Sequence, residues 1–256
     1  MLTNIRQTAP FDPPVPSNLS FCGCSFDWRQ SCAESFPQYG VQPPSQRSNW
    51  SRQRQAEYIA GRYCAIQALT AAAEHHSPAG IQLPIASDRS PQWPPGTLGS
   101  ISHSGDRAIA IAGRDRDFSG LGIDCEMLLR DSAAAEIAPW VLQRNDLDCR
   151  IEAPLTYGQW VTLVFSAKES LFKALAPSHK HFVDFGPLSN MFFVSKITAK
   201  TLILNTELRP ARGSCSISQS SSQPKSQPSS QPSSQFELFY RVDGQQIITM
   251  ALLAQQ

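Results

Sequence analysis

The sequence predicts an α+β protein, on three observations. Two long stretches carry helical periodicity. Several shorter runs alternate apolar and polar residues as strands do. Pairs of those runs are separated by tight polar turns, HSGD and DG among them.

The first helix begins near Ser51, in SRQRQAEYIAGRYCAIQALTAAAEHH. Ile59, Tyr63, Ile66 and Leu69/Thr70 recur there at three-to-four spacing, and alanines fill the rest. Ser51 suits its N-cap. A proline-interrupted loop, PIASDRSPQWPPG, leads to TLGSIS and RAIAIAG, two strands joined by HSGD. SGLGIDCEML is the next strand, with Leu121, Ile123 and Cys125 alternating with Gly122, Asp124 and Glu126. A less regular helical stretch covers about residues 133–147, and the second strong helix about 157–175. MFFVSKITAKTLILNT forms a hairpin. FELFYRV and QQIITMALLA form two strands turning at Asp243-Gly244. Residues 1–48, rich in Pro, Ser and Gln, are expected as loops and short strands draped over the rest. Residues 214–235 are of Ser, Gln and Pro, which bury little, and are expected as a disordered insertion in a loop of the sheet. No internal repeat is visible.

The chain of 256 residues suffices for one large domain or two small ones, and 41% hydrophobic residues supply a core. A net charge of +1 offers no broad basic surface for nucleic acid, so a bound anion must meet a local cluster of cations. Seven cysteines at irregular spacing argue against a disulfide framework, and Cys22-Gly-Cys24 is not a CxxC pair. Reduced thiols are expected. The N-terminal stretch has no apolar signal region, and no run approaches the ~20 apolar residues of a membrane span. A cytoplasmic protein without membrane association is expected.

Several polar residues stand where chemistry is possible. Asp124 and Glu126, two apart in a strand, project to one face. Hard oxygen donors at that spacing suit Mg²⁺, which takes one or two carboxylates beside phosphate oxygens and water. Taken alone, the pair fits better a half-exposed strand with two solvated acids. On the 157–175 helix, Thr162, Ser166, Glu169 and Lys173 share a narrow stripe, opposite Val161, Val164 and Leu171. A Glu169–Lys173 pair at i,i+4 contributes only ~0.2–0.5 kcal/mol on an exposed helix. Ser166 and Glu169 fit a capping box, yet the apolar period continues upstream through Trp160. Lys168 falls near the centre of the apolar face, where a charge is costly unless paired, so a carboxylate partner and a structural role are expected.

GSISHSGD places Ser102, His103 and Ser104 at a strand end. Adjacent residues make a poor nucleophile–base pair, and no G-x-S-x-G elbow is present. Small hydroxyls, a glycine and a histidine can instead hold a phosphate, although a histidine in a turn is commonly just solvated. Arg52, Arg54, Arg62 and Arg89 suit bidentate phosphate binding, and each alone also suits ordinary surface. Gly61, mid-helix, costs up to ~1 kcal/mol relative to Ala and points to a close approach.

In order, AGR, GSISHSGD, LGIDCE and FSAKESLFKAL resemble the 4′-phosphopantetheinyl transferases, in the surfactin-type group and its enterobactin-synthase-component type. The resemblance covers about residues 50–185, and the tail loosely. It implies two similar α/β halves, 1–119 and 120–256, each a small mainly antiparallel sheet packed with a long helix, and coenzyme A in the cleft between them. The implied reaction moves the phosphopantetheine arm of coenzyme A to a serine of an apo acyl or peptidyl carrier protein and releases 3′,5′-ADP. Asp124, Glu126 and Glu169 would hold Mg²⁺, or Mn²⁺, against the diphosphate. Glu169 would also serve as base, and Lys173 would neutralise the leaving diphosphate. His103 with Ser102 would hold a phosphate of coenzyme A. Arg54, Arg62 and Arg89 would meet its 3′-phosphate and adenine end. A monomer with a small, transient carrier contact is implied. Two features depart from the family: Cys125 replaces an aliphatic residue, and residues 133–152 lack the usual acidic pattern. A metal-dependent phosphodiesterase acting on coenzyme-A-like diphosphates and a non-catalytic coenzyme A or carrier-binding module are the rival readings.

Overall fold

The computed structural model describes residues 1–9, 11, 15–72, 80–151, 153–176, 192–206 and 234–255. Among them stand two antiparallel sheets, each carrying one long helix on its outer face. The first sheet contains β1 (Leu2–Arg6), β2 (Ser20–Phe26), β3 (Thr97–Ser104) and β4 (Arg107–Arg114), in the order β1-β2-β4-β3. A short helix, α1 (Ser35–Gln38), precedes the long α2 (Arg52–Ala72). The second sheet contains β5 (Phe118–Met127), β6 (Phe192–Ile197), β7 (Thr201–Thr206), β8 (Ser234–Asp243) and β9 (Gln246–Ala254), in the order β5-β9-β8-β7-β6. The helices α3 (Asp131–Val141), α4 (Arg144–Arg150) and α5 (Tyr157–Leu175) follow β5. The α+β class expected from the sequence is the class observed.

Ser51 caps α2 as expected: its Oγ accepts from the Arg54 N–H at 3.1 Å. The helix lays small residues, Ala60, Cys64, Ala65 and Ala68 among them, on β2 and β4. Helix α5 starts at a capping box, with Gln159 N–H donating to Thr156 Oγ1 (3.2 Å) and Thr156 N–H to Gln159 Oε1 (3.0 Å). The Ser166–Glu169 capping pattern therefore starts no helix; Ser166 is buried inside α5. Strand alternation sends the opposite faces of the sheets toward each other. Phe21, Ile109 and Ile111 meet Leu121, Ile123, Cys125, Ile248 and Met250 in a core between the sheets. The layers therefore run helix, sheet, sheet, helix. An ion pair from Arg107 to Asp243 (2.7 Å) also joins the two sheets.

Four sequence expectations need correction. Residues 1–48 do not merely drape: β2 is an interior strand between β1 and β4, with Cys22, Cys24 and Phe26 in the core. Its small residues, SFCGCSF, hide a strand whose packing partner is the equally small-residued α2. The irregular helical stretch is two helices, α3 and α4, broken at Leu142–Gln143. Strand β5 is not half-exposed. Asp124 is 2% exposed, because α5 covers one face of β5 and the first sheet the other. Of the expected insertion, residues 214–233 lie outside the described residues, while 234 and 235 already belong to β8. The two implied halves, 1–119 and 120–256, meet at the start of β5. No helix among the described residues is long and apolar enough to cross a membrane.

Candidate active site

The site lies where β3, at the edge of the first sheet, runs beside β5, at the edge of the second. Three serines on alternate positions of β3 face β5. Ser100, Ser102 and Ser104 accept through their hydroxyls from the N–H groups of Ile123, Cys125 and Met127, at 3.1, 3.2 and 3.2 Å. The constant offset of 23 residues shows that the strands run in the same direction. Side-chain oxygens here replace the backbone carbonyls of a normal ladder. Two of these hydroxyls donate onward: Ser102 to Asp124 Oδ1 (2.8 Å) and Ser104 to Glu126 Oε2 (3.0 Å). The serines thus satisfy the edge of β5 and aim its two carboxylates at once.

Helix α5 approaches β5 closely because glycine permits it. A Cβ on Gly122 would collide with the carbonyl of Ser170, and one on Gly120 with that of Ala174. Thr249 on β9 sets the rotation of α5, with its hydroxyl bonded to those of Ser166 (2.9 Å) and Ser170 (2.7 Å). That rotation brings Lys173 Nζ to 2.6 Å from Asp124 Oδ1, and to 3.3 Å from the Ile123 carbonyl. Glu169 stands one turn earlier on the same stripe. Burial pushes Glu169 above the usual carboxylate range; Asp124 adds to the rise and Lys173 opposes it. Glu126 is pushed up to about 7, chiefly by burial and by the charge of Asp124, with a smaller contribution from Glu169 and opposition from Ser104 and Lys173. The three acids therefore sense one another around a single ammonium.

His103 points the other way from Ser102, as neighbours on a strand must. Its Nε2 lies 3.3 Å from Arg54 NH1, and its Nδ1 4.0 Å from Glu57, which also pairs with Arg54 at 3.4 Å. Burial lowers the His103 pKa; Glu57 raises it, and Arg54 and Lys173 add to the lowering. The expected pairing of His103 with Ser102 at one phosphate is therefore not what the geometry offers. Ser102 is committed to β5, and the neighbours of His103 are Arg54 and Glu57. Arg62 is buried against the ring of Tyr58 and donates from Nε to the Leu83 carbonyl at 2.7 Å. It anchors the loop in which Arg89 sits exposed, with a positive φ of 69°. Asp124, Glu126, Glu169 and Lys173 thus assemble at the seam, Arg54 and His103 form a second group, and Arg62 and Arg89 belong to the loop side.

Lys168 finds the carboxylate expected for it. Its Nζ lies 2.7 Å from Asp146 Oδ2 and from the Val141 carbonyl, fully buried. Asp146 also accepts from the N–H groups of Gln143 and Val194, at 2.7 and 2.6 Å. The pair holds the α3–α4 break and β6 against α5. Sequence reasoning missed Glu57, Ser100 and Thr249, and it missed the bonds of Ser104 to β5. The S-x-S-x-S alternation of β3 was the available signal for the serines.

Among the described residues, no three His, Cys, Asp or Glu side chains stand close enough as placed to hold a metal ion. The donors nevertheless fit a hard cation. Asp124 Oδ2 is buried with no hydrogen-bond partner, and burial, with the neighbouring carboxylates adding to it, raises the affinity of Glu126 and Glu169 for a proton. Added positive charge would relieve both conditions.

This fold and site define a class. The family description "4'-phosphopantetheinyl transferase N-terminal domain" matches residues 44–113, and "4'-phosphopantetheinyl transferase superfamily" matches residues 120–229. The chain belongs to the 4′-phosphopantetheinyl transferase superfamily. It is 35% identical over 125 residues to enterobactin synthase component D of Salmonella typhi, covering 49% of this chain and 50% of that protein. With the Escherichia coli K12 protein of the same name it shares 34% over 130 residues, 51% and 59% of the two chains. A third relative, the 4′-phosphopantetheinyl transferase Svp of Streptomyces mobaraensis, is 38% identical over 90 residues, 34% and 35% of the two chains. The chain thus spans about half the length of the first of these relatives.

Proposed function

We propose that this protein transfers the 4′-phosphopantetheine arm of coenzyme A to a serine hydroxyl of an apo acyl or peptidyl carrier protein. The observation that carries this reading is the meeting of Asp124, Glu126, Glu169 and Lys173 at the seam of the two sheets. Those four residues stand in GID-x-E and FSAKES-x-x-K, the stretches that carry the resemblance, within the residues that the superfamily description matches.

Asp124, Glu126 and Glu169 would hold Mg²⁺, or Mn²⁺. When bound, the ion supplies positive charge that offsets the diphosphate of coenzyme A. Glu169, whose proton affinity burial has raised, takes the proton of the carrier serine. The serine oxygen then bonds to the phosphorus that bears pantetheine, and the bond from that phosphorus to the bridging oxygen breaks. Lys173 stabilises the charge left on 3′,5′-ADP. His103 and Arg54 offer donors to a phosphate of coenzyme A, and Arg62 and Arg89 define the side on which its 3′-phosphate and adenine lie. Ser102 acts by holding Asp124. A monomer suffices for this chemistry, because both sheets of the seam come from one chain. The supply of coenzyme A and apo-carrier places the reaction in the cytoplasm.

The test is incubation with coenzyme A, Mg²⁺ and a small panel of apo-carriers. The carrier should gain the mass of the arm, the gain should stop with chelator, and it should return with Mg²⁺. Release of 3′,5′-ADP at the same rate without carrier would instead identify a phosphodiesterase.

A further inference from the structure

The core of the first sheet contains three thiols that the proposed reaction does not use. Cys22 and Cys24, two apart on β2, leave the same face of the strand and meet Cys64 on α2. Cys64 Sγ lies 3.4 Å from Cys24 Sγ, with Cys22 in the same buried cluster. It lies 3.6 Å from the Ala108 carbonyl of β4. All three are buried free thiols. Three such side chains meet across one helix–sheet contact, where alanines fill the neighbouring positions of α2 and β4.

We propose that Cys22, Cys24 and Cys64 form an oxidisable thiol site, in which Cys64 closes a disulfide to one of the two β2 cysteines and ties α2 to β2. The oxidant is a small peroxide. The thiolate attacks a peroxide oxygen, the O–O bond breaks, and the departing oxygen leaves as water after protonation. The resulting sulfenic acid loses its hydroxyl, as a second water, when the neighbouring thiol attacks its sulfur. Two thiols lose two electrons and two protons overall, and one hydrogen peroxide becomes two waters.

The environment divides the roles. The hydrogen bond from Cys64 pulls the Cys22 thiol below its ordinary pKa, while Cys64 itself is raised well above it. Cys64 faces the β2 thiols across the helix–sheet contact and is the group that closes the bond. Closing Cys24 to Cys64 shortens 3.4 Å to the ~2.05 Å of a disulfide, a side-chain movement rather than a backbone one. The third thiol remains beside the bond and can exchange with it. Burial makes the reaction wait for local opening, so exposed Cys32 reacts first with any reagent in solution.

The experiment therefore blocks Cys32 by brief alkylation of the folded full-length protein. The protein is next exposed to hydrogen peroxide, trapped with a second alkylating label, and peptide-mapped. The expected result is loss of two hydrogens from the intact mass and a crosslinked peptide joining Cys64 to Cys22 or Cys24. The crosslink should vanish on reduction, be lost in Cys64→Ser, persist in Cys32→Ser, and raise the melting temperature. Oxidation confined to Cys125, Cys149 or Cys215, sulfinic acid without a crosslink, or a crosslink that survives Cys64→Ser would overturn the proposal. The map of the wild-type protein decides the question even if Cys64→Ser does not fold. It is also independent of whether any carrier is modified.

Discussion

The two long helices sit on their sheets in different ways. Helix α2 buries Ala60, Gly61, Cys64, Ala65 and Ala68 together with Ile59, Ile66 and Leu69 in a mainly apolar contact, and its buried Arg62 bonds to the Leu83 carbonyl rather than to the sheet. Helix α5 buries Thr162, Ser166, Lys168 and Ser170 along with its apolar residues, and each of the four has a hydrogen-bond partner. A smooth contact tolerates small rotation of the helix, whereas directed hydrogen bonds do not. The residues proposed for the chemistry follow that difference. Helix α2 offers Arg54 and Glu57 only from its first two turns. Helix α5 presents Glu169 and Lys173 from its middle and end, where Thr249 and the Lys168–Asp146 pair fix its orientation.

The largest expected effect is chemical. Glu169→Gln should lower carrier modification by about 10²–10⁴-fold, while its melting temperature stays near that of the wild type. Near-normal turnover in a carrier mass assay would remove α5 from the chemistry and erase the contrast. Lys168→Met leaves the Asp146 carboxylate buried without its cation, which should cost about 3–5 kcal/mol in urea unfolding. A loss below ~1 kcal/mol would show that α5 is not held by that pair. Gly122→Ala forces α5 away from β5 and should destabilise by about 1–3 kcal/mol, with a parallel drop in transfer rate.

The pH dependence comes next. Glu126 holds its proton to about pH 7 in the folded chain, against an ordinary value of 4.5. Between those values the folded state binds more protons than the unfolded state, so stability falls as pH rises through that window. Melting curves in chelator should show this decline, and Glu126→Gln should lessen it, leaving the share that comes from Glu169. The smallest effect is Gly61→Ala on α2. The new Cβ meets Ile101 Cγ2 at 2.9 Å, which must shift, while the helix gains propensity, so the two effects oppose and the change should stay within about 1 kcal/mol. A large loss there would mean that α2 is seated as rigidly as α5.

The parts of this arrangement that repeat at short range were legible in the sequence. The 3.6-residue period marked both long helices, the two-residue period placed Asp124 and Glu126 on one face, and Asp243-Gly244 marked its hairpin. The buried position of Lys168 on its helix was enough to demand a carboxylate. Which carboxylate was not legible, because Asp146 lies 22 residues away in a helix whose break the local pattern blurs. Ser104 and Ser102 looked like turn residues beside His103, since nothing local says that their partners stand on β5, 23 residues on. Strand β2 escaped notice because Gly23 and its cysteines carry little of the β-branched signature of a strand.

The serines of β3 carry one more implication. Each of Ser102 and Ser104 uses a single oxygen both to clasp one half of the molecule to the other and to aim an acid. Assembly and arming are therefore one event. A folding intermediate with both halves formed but not yet joined would be chemically silent, and so would any form pried open along that line.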